Sequence, residues 1–107
     1  QMNKEPWKVL QEVTCAALNE LGEDARETPG SGSVRGNGDI KSTNFLVECK
    51  QRTKKNITID QNQWNKIKKE ASLLDRIPAI VCENESKERI ISMKLEDFVS
   101  HVNGTRW

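Results

Sequence analysis

This chain lacks several features that mark other classes of protein. No stretch approaches the roughly 18 consecutive apolar residues of a membrane-spanning helix, and we expect neither a membrane partner nor a secretory signal. The net charge is only +1 although 31% of the residues are charged, so no general basic field indicates a nucleic-acid partner. Internal repeats and coiled-coil heptads are also missing. The length of 107 residues then predicts a single domain over residues 1–107 with a modest core.

Cysteine and histidine are too scarce and too scattered to indicate a metal or redox centre. The three cysteines, Cys15, Cys49 and Cys82, form no Cys-x-x-Cys pair and no zinc spacing. Isolated cysteines are typical of small buried apolar side chains in a reducing compartment, so we expect a cytoplasmic protein. The only histidine, His101, has no partner motif around it, and we expect it to lie at the surface or to cap a helix.

Hydrophobic periodicity predicts helices that alternate with strands. We expect helices over about 4–21, 60–76 and 95–102, and strands over about 24–28, 39–42, 44–51, 77–82 and 89–93. Residues 29–38 are rich in glycine and serine and predict a loop. The predicted apolar stripe of the first helix is Trp7, Leu10, Val13, Ala17, Leu18 and Leu21; that of the second is Trp64, Ile67, Ala71 and Leu74, with Asp60 as N-cap. This order predicts an α/β fold with a mixed central sheet flanked by helices.

Two neighbouring strands carry the most informative pattern. Alternation puts Glu48 and Lys50 on one face of their strand. If Thr43 and Asn44 form a two-residue turn, Asp39 lies directly opposite Glu48, about 5 Å away. Two like charges there destabilise a sheet, so we expect a cation between them; the alternative is a surface hairpin with scattered charges. A divalent cation held by two carboxylates beside a lysine is an apparatus for phosphodiester hydrolysis.

We therefore predict that Asp39 and Glu48 bind Mg²⁺ or Mn²⁺. Lys50 would orient or help to deprotonate the nucleophile and would offset charge that develops in the transition state. The ordinary alternative for Lys50 is a surface lysine on an edge strand. No small-molecule cofactor is expected.

The order αβββαβ, with Asp39 followed by Glu48-x-Lys50 on the next strand, resembles the PD-(D/E)xK nuclease superfamily. Within it, the Gly30-Ser31-Gly32-Ser33 loop and the helix around Trp64 resemble archaeal-type Holliday-junction resolvases and their phage-encoded relatives. The resemblance covers about residues 7–82 and implies a restriction-endonuclease-like αβββαβ core. Gly38 stands where the superfamily name has proline.

The resemblance also implies an activity and further site residues. It implies a metal-dependent endonuclease that cuts branched, four-way DNA to leave 5′-phosphates, acting as a C2 homodimer because a junction needs two symmetric cuts. A phage-encoded enzyme would work in the host cytoplasm. The carbonyl of Cys49 would complete the metal ligands, and Gln63, with Gln61 as competitor, would lie near the attacking water. Glu12, next to Gln11, is the candidate for the acid that resolvases carry on the first helix.

The middle of the chain offers a surface for an anionic partner. Seven basic residues against one acid lie between Lys50 and Lys69. The loop residues Ser31, Gly32 and Ser33 would present hydroxyl and N–H groups to a phosphate. Further DNA-backbone contacts are expected from Arg35, Lys41, Arg52, Lys54 and Lys55, although each alone also fits a solvated charge.

Two other functions fit the same residues. One is a nuclease of the same fold that acts on other DNA, of restriction, repair or flap type. The other is a catalytically inactive DNA-binding module. A nuclease acting on RNA is a weaker alternative, because the sequence shows no aromatic platform for single strands.

Overall fold

In the part of the chain that the structure describes, five strands and three helices follow one another in the predicted order. The computed structural model describes residues 5–28 and 37–104. Its elements are α1 (Pro6–Glu20), β1 (Arg26–Glu27), β2 (Asn37–Lys41), β3 (Phe45–Gln51), α2 (Gln61–Leu73), β4 (Ile77–Glu83), β5 (Arg89–Ser92) and α3 (Leu95–Asn103). The predicted elements are confirmed with shifts of a few residues at their ends, and the first strand is only two residues long.

The sheet is mixed, as predicted, with the strand order β1-β2-β3-β4-β5. The strands β1, β2 and β3 pair antiparallel, and β4 and β5 do so as well. In contrast, β3 and β4 run parallel, and α2 provides the crossover between them. The central strand β3 is therefore covered on both faces, which explains why six consecutive residues from Phe45 are buried.

Each face of the sheet has its own core. On the α1 face, Leu10 and Leu18 pack with Val47 and Cys49 of β3. On the α2 face, Ile67 and Ala71 pack with a cluster that contains Leu46, Ile80 and Cys82. Because Glu48 and Lys50 alternate with Val47 and Cys49, both charged residues belong to the α2 face. The sheet and α2 thus bury two charged side chains of one strand.

The predicted stripe of α1 is partly wrong. Leu10 and Leu18 are buried as predicted, but the buried face also contains Gln11, which is 2% exposed, and Thr14. The Thr14 hydroxyl donates to the Leu10 carbonyl at 2.7 Å, which satisfies a polar group in the helix interior. Three predicted stripe residues are instead exposed: Val13, Ala17 and Leu21.

The predictions for α2 are largely confirmed. Ile67 and Ala71 are fully buried, and Trp64 is half-buried against the same cluster. Asp60 caps the helix by accepting from the Asn62 N–H at 2.8 Å. The predicted stripe residue Leu74 is exposed, because the helix ends at Leu73.

The cysteines, the histidine and the helix lengths can also be compared with the sequence predictions. The three cysteines are unpaired, and Cys49 and Cys82 are buried. His101 is exposed on α3 and lies edge-on to the ring of Phe45, with 4.8 Å between ring centroids. Across residues 5–28 and 37–104, none of the helices has the length and apolar character that crossing a bilayer requires.

The turn between β2 and β3 fixes the register of the hairpin. The Ser42 N–H donates to the Phe45 carbonyl at 2.9 Å, so Thr43 and Asn44 form the predicted two-residue turn. The buried carboxylate of Glu23 accepts from the Ser42 hydroxyl at 2.7 Å, from the Asn44 N–H at 2.7 Å and from the Asn44 amide at 2.6 Å. These bonds tie the turn to the end of α1 and hold the two strands in one alignment.

Candidate active site

Asp39 and Glu48 lie directly opposite each other on β2 and β3, as predicted. The Asp39 carbonyl accepts from the Thr28 N–H at 3.2 Å, so the main chain of Asp39 faces β1 rather than β3. Asp39 and Glu48 therefore form a non-hydrogen-bonded pair, the kind in which Cα atoms approach to about 4.5 Å and side chains lie closest. The alignment brings two carboxyl groups from neighbouring strands to one spot on the α2 face.

Lys50 supplies a positive charge at this spot. Its Nζ lies 2.6 Å from Oε2 of Glu48, and the two side chains are only 3% and 7% exposed. A short charge-assisted bond of this kind offsets part of the cost of removing both ions from water. The chain itself thus places a cation beside Glu48. The opposition of Glu48 to Asp39 does not by itself require a metal, contrary to the expectation from sequence.

Asp39 has an unusual proton affinity. Partial burial raises its pKa from the ordinary 3.8 to about 6, and the nearby charges of Glu48 and Glu70 add to this effect. Lys66 and Lys50 act in the opposite direction. Near neutral pH the carboxyl therefore exchanges a proton readily, and a cation that binds the charged form would displace that proton.

One flank of α2 forms a wall beside the carboxyl pair. Ile67 and Ala71 point into the core, so helical geometry places Gln63, Lys66 and Glu70 together on one flank at positions i, i+3 and i+7. Lys66 Nζ lies 3.9 Å from Oε2 of Glu70. Sequence reasoning missed the role of Lys66 and Glu70 as neighbours of Asp39. Their helical spacing from the predicted Gln63 was the signal that could have found them.

The predicted Gln63 lies on the correct side of the sheet for a role at this site. Its side-chain oxygen accepts from Nη2 of Arg52 at 3.5 Å. The competitor Gln61 is exposed and donates to the side chain of Asn65 at 3.0 Å. Of the two glutamines, Gln63 is the half-buried one on the α2 face, where it contacts Arg52.

The other predicted residues occupy several different places. Glu12 is exposed on α1, which packs on the opposite face of the sheet, so the structure does not bring it to Asp39. Lys41 is exposed on the same face as Asp39, two residues along β2. Lys54 and Lys55 are exposed in the segment between β3 and α2. The predicted loop residues Ser31, Gly32, Ser33 and Arg35 lie outside the described residues.

The donors at the carboxyl pair suit Mg²⁺ or Mn²⁺. Mg²⁺ keeps several waters and usually takes one or two carboxylates from a protein. Glu48 holds Lys50 through Oε2, and its other oxygen remains chemically able to bind a cation. The ladder directs the main chain of Cys49 toward Gly38 of β2, and a carbonyl oxygen has a second lone pair for a metal. Within 5–28 and 37–104, no three His, Cys, Asp or Glu side chains form a common cluster.

Comparison with known proteins adds no family to this geometry. The sequence matches no model of a known protein family, and no curated protein matches it.

Proposed function

We propose that this protein is a metal-dependent DNA endonuclease. The observation that carries the proposal is the arrangement of three side chains on one face of the sheet. Asp39 and Glu48 are directly opposed, and the buried ammonium of Lys50 lies 2.6 Å from Glu48. Two convergent carboxyl groups and an adjacent cation match the requirements for phosphodiester hydrolysis.

The residues divide the chemical work. Asp39, Glu48 and the Cys49 carbonyl would hold a Mg²⁺ or Mn²⁺ ion, which would supply charge neutralisation at the phosphate and a more acidic water. Lys50 fixes the orientation of Glu48 and adds positive charge where the phosphate gains negative charge. Gln63, on the flank of α2, orients the attacking water by hydrogen bonds.

The proposed substrate is branched DNA, and the proposed assembly is a C2 homodimer. Both follow from the resemblance to Holliday-junction resolvases, with a restriction-endonuclease-like core. The strand order and the placement of α2 over the carboxyl pair support the core. The nearby cations Arg52 and Lys41 support contact with phosphates on either side of the site.

Cleavage assays on defined DNA test this proposal. The protein is incubated with a synthetic four-way junction, a duplex, a nicked duplex and a flap, each with Mg²⁺, with Mn²⁺ and with EDTA. We expect paired symmetric cuts in the junction that leave 5′-phosphates and need the metal. Cleavage confined to flap or duplex would replace the resolvase by another nuclease of the same fold. No hydrolysis of any substrate with either metal would overturn the endonuclease proposal.

An inactive DNA-binding module is the second candidate. The buried pair of Glu48 and Lys50 favours it, because the pair neutralises one of the two opposed carboxylates without a metal. This alternative predicts DNA binding that is unchanged by EDTA and unchanged when Asp39 becomes Asn. The same four substrates, measured for binding as well as cleavage, separate the two functions.

A further inference from the structure

A pocket with three cations in its lining lies at the end of β2 that follows Asp39. It has a volume of about 560 Å³ and is bounded by β1, the end of β2 and the segment after α2, with Arg26, Lys41 and Arg76 in its lining. We propose that this pocket binds a backbone phosphate of the DNA strand, next to the phosphate that is cut. The inference rests on the proposed nuclease function and assigns a binding role to Arg26 and Arg76.

The first argument is the opposition of two cations. Arg26 and Lys41 are directly opposed partners in the antiparallel pair of β1 and β2. Like charges at such positions destabilise a sheet, and an anion between them removes the penalty. Asp24 lies 3.3 Å from Arg26, but the two side chains are 72% and 79% exposed, so this bridge is weak and readily exchanged for another anion.

The other acid of the lining is directed elsewhere. Alternation along β1 turns Glu27 toward the α1 face of the sheet, opposite to Arg26. In agreement, burial and then the charge of Glu27 raise the pKa of Cys15, which lies on α1. The cations of the pocket therefore share one side of the sheet, whereas Glu27 belongs to the other.

The third cation is held in a fixed orientation. Nε of Arg76 donates to the Ser42 carbonyl at 2.8 Å, and Nη1 donates to the Leu74 and Asp75 carbonyls at 2.9 and 3.4 Å. These bonds set the plane of the guanidinium. Among the described residues, Nη2 of Arg76 has no hydrogen-bond acceptor. A planar fork with donors to spare suits phosphate oxygens, and little side-chain entropy is lost on binding.

One residue of the pocket, Lys41, lies near the carboxyl pair along β2. Lys41 and Asp39 lie on the same face of β2, two residues or about 7 Å apart along the strand. A DNA strand with its cut phosphate at Asp39 and Glu48 would bring a neighbouring phosphate close to Lys41 and the other two cations. Free inorganic phosphate has the same chemistry, and the experiment has an arm for each source.

The test compares two double variants that remove the same charge. Arg26→Gln with Lys41→Gln removes two cations of the pocket and leaves the bonds of Arg76 to the turn intact. Lys8→Gln with Lys94→Gln removes two exposed cations, one near the start of α1 and one at the N-cap of α3, both outside the basic segment from Lys50 to Lys69. Binding of a fluorescein-labelled four-way junction is measured in EDTA between about 50 and 200 mM salt, so that no hydrolysis is needed.

We expect the pocket variant to bind about tenfold more weakly, with a salt slope shallower by about 2. The control should stay within about twofold of the parent protein. Equal losses in both variants, or no change in the salt slope of the pocket variant, would overturn the pocket. Unfolding curves of both variants are recorded first, to show that each is folded.

In the second arm, the protein is titrated with inorganic phosphate, and binding is measured from the NMR chemical shifts of the Arg26 and Lys41 amides. We expect weak binding that the labelled junction displaces. Saturation by phosphate that leaves junction binding unchanged would overturn the nucleic-acid assignment. If the salt slopes are as expected but the protein cleaves no DNA, the proposed nuclease function is refuted and the proposed phosphate-binding pocket is retained. If the parent protein cleaves the junction but the pocket variant has an unaltered salt slope, only the proposed phosphate-binding pocket is refuted.

Discussion

The two faces of the sheet differ in the polar and charged side chains that they bury. On the α1 face, β3 contributes Val47 and Cys49, and the two buried polar side chains of the helix, Gln11 and Thr14, are neutral. On the α2 face, the same strand contributes Glu48 and Lys50 as a buried ion pair. The α1 face also buries a carboxylate, that of Glu83 on β4, but its partners Arg89 and Lys87 are 40% and 61% exposed. In the pair on the α2 face, by contrast, both ions are buried. Because burying ions is costly, we infer that the charges of the α2 face are retained for function.

The largest expected effect comes from breaking the buried ion pair. Lys50→Met leaves Glu48 charged, buried and without its cation, so we expect a loss of about 3–5 kcal/mol in the free energy of unfolding. The neutral double variant Glu48→Gln with Lys50→Met should recover most of this loss. Thr14→Val, on the α1 face, is the comparison, and we expect it to change stability by less than about 1 kcal/mol. Urea denaturation at pH 7 measures all three.

The same variants report on function. We expect Lys50→Met and the double variant to lose at least about a hundredfold in cleavage rate, whatever their stability. Thr14→Val should cleave at the parental rate. A folded double variant that cleaves normally would show that the ion pair serves only the core.

The comparison is sharpened by Glu23 and Asp39, whose pKa values are shifted in opposite directions. Burial alone would raise the pKa of Glu23, but hydrogen bonds from Ser42 and Asn44 outweigh it and lower the pKa below the ordinary 4.5. A lowered pKa adds stability above pH 4.5, and this stability is lost as the pH falls through the folded-state value. We expect Glu23→Ala to destabilise the protein by about 2–3 kcal/mol at pH 7 and by much less at pH 3. Denaturation at the two pH values tests this, and a loss that is the same at both would contradict it.

Asp39 should behave in the reverse manner. Its pKa near 6 is raised mainly by burial, so the folded protein holds a proton that it must release as the pH rises from about 4 to above 6. Asp39→Asn removes this cost, and we expect it to stabilise the protein by about 1–2 kcal/mol at pH 8 and to change little at pH 4. Cleavage should be abolished while DNA binding remains. A variant that is less stable than the parent at pH 8 would rule out this electrostatic description.

The smallest effects concern the flank of α2. Lys66 lowers the pKa of Asp39 and Glu70 raises it, so Lys66→Gln should move the Asp39 midpoint upward and Glu70→Gln should move it downward. We expect shifts of roughly 0.3 to 0.5 pH unit in opposite directions, measured by NMR titration of the Asp39 carboxyl. Lys69→Gln, on the exposed side of the helix, is the matched control and should leave the midpoint unchanged. Shifts of the same sign in the first two variants would show that this wall does not face Asp39.

The sequence predicts the alignment of the β2–β3 hairpin better than it predicts which side chains surround that hairpin. The opposition of Asp39 and Glu48 follows from a two-residue turn and from strand alternation, both of which are local. The bond from Lys50 to Glu48 depends on how α2 and the parallel strand β4 enclose β3, which is a tertiary property. The same reason explains the burial of Gln11, because polar side chains on a helix give no apolar signal for the face that turns inward. Lys66 and Glu70 become neighbours of Asp39 only through the position of α2.

The short turn between Ser42 and Phe45 has a consequence for how this chain tolerates change. Adding one residue there would invert the phase of β2 against β3 unless a bulge absorbed it, and Asp39 would then project toward Leu10 and Val47. Loop insertions are usually harmless at a protein surface. At Thr43 and Asn44, by contrast, the number of residues in the turn determines whether the side chains of Asp39 and Glu48 lie on the same face of the sheet.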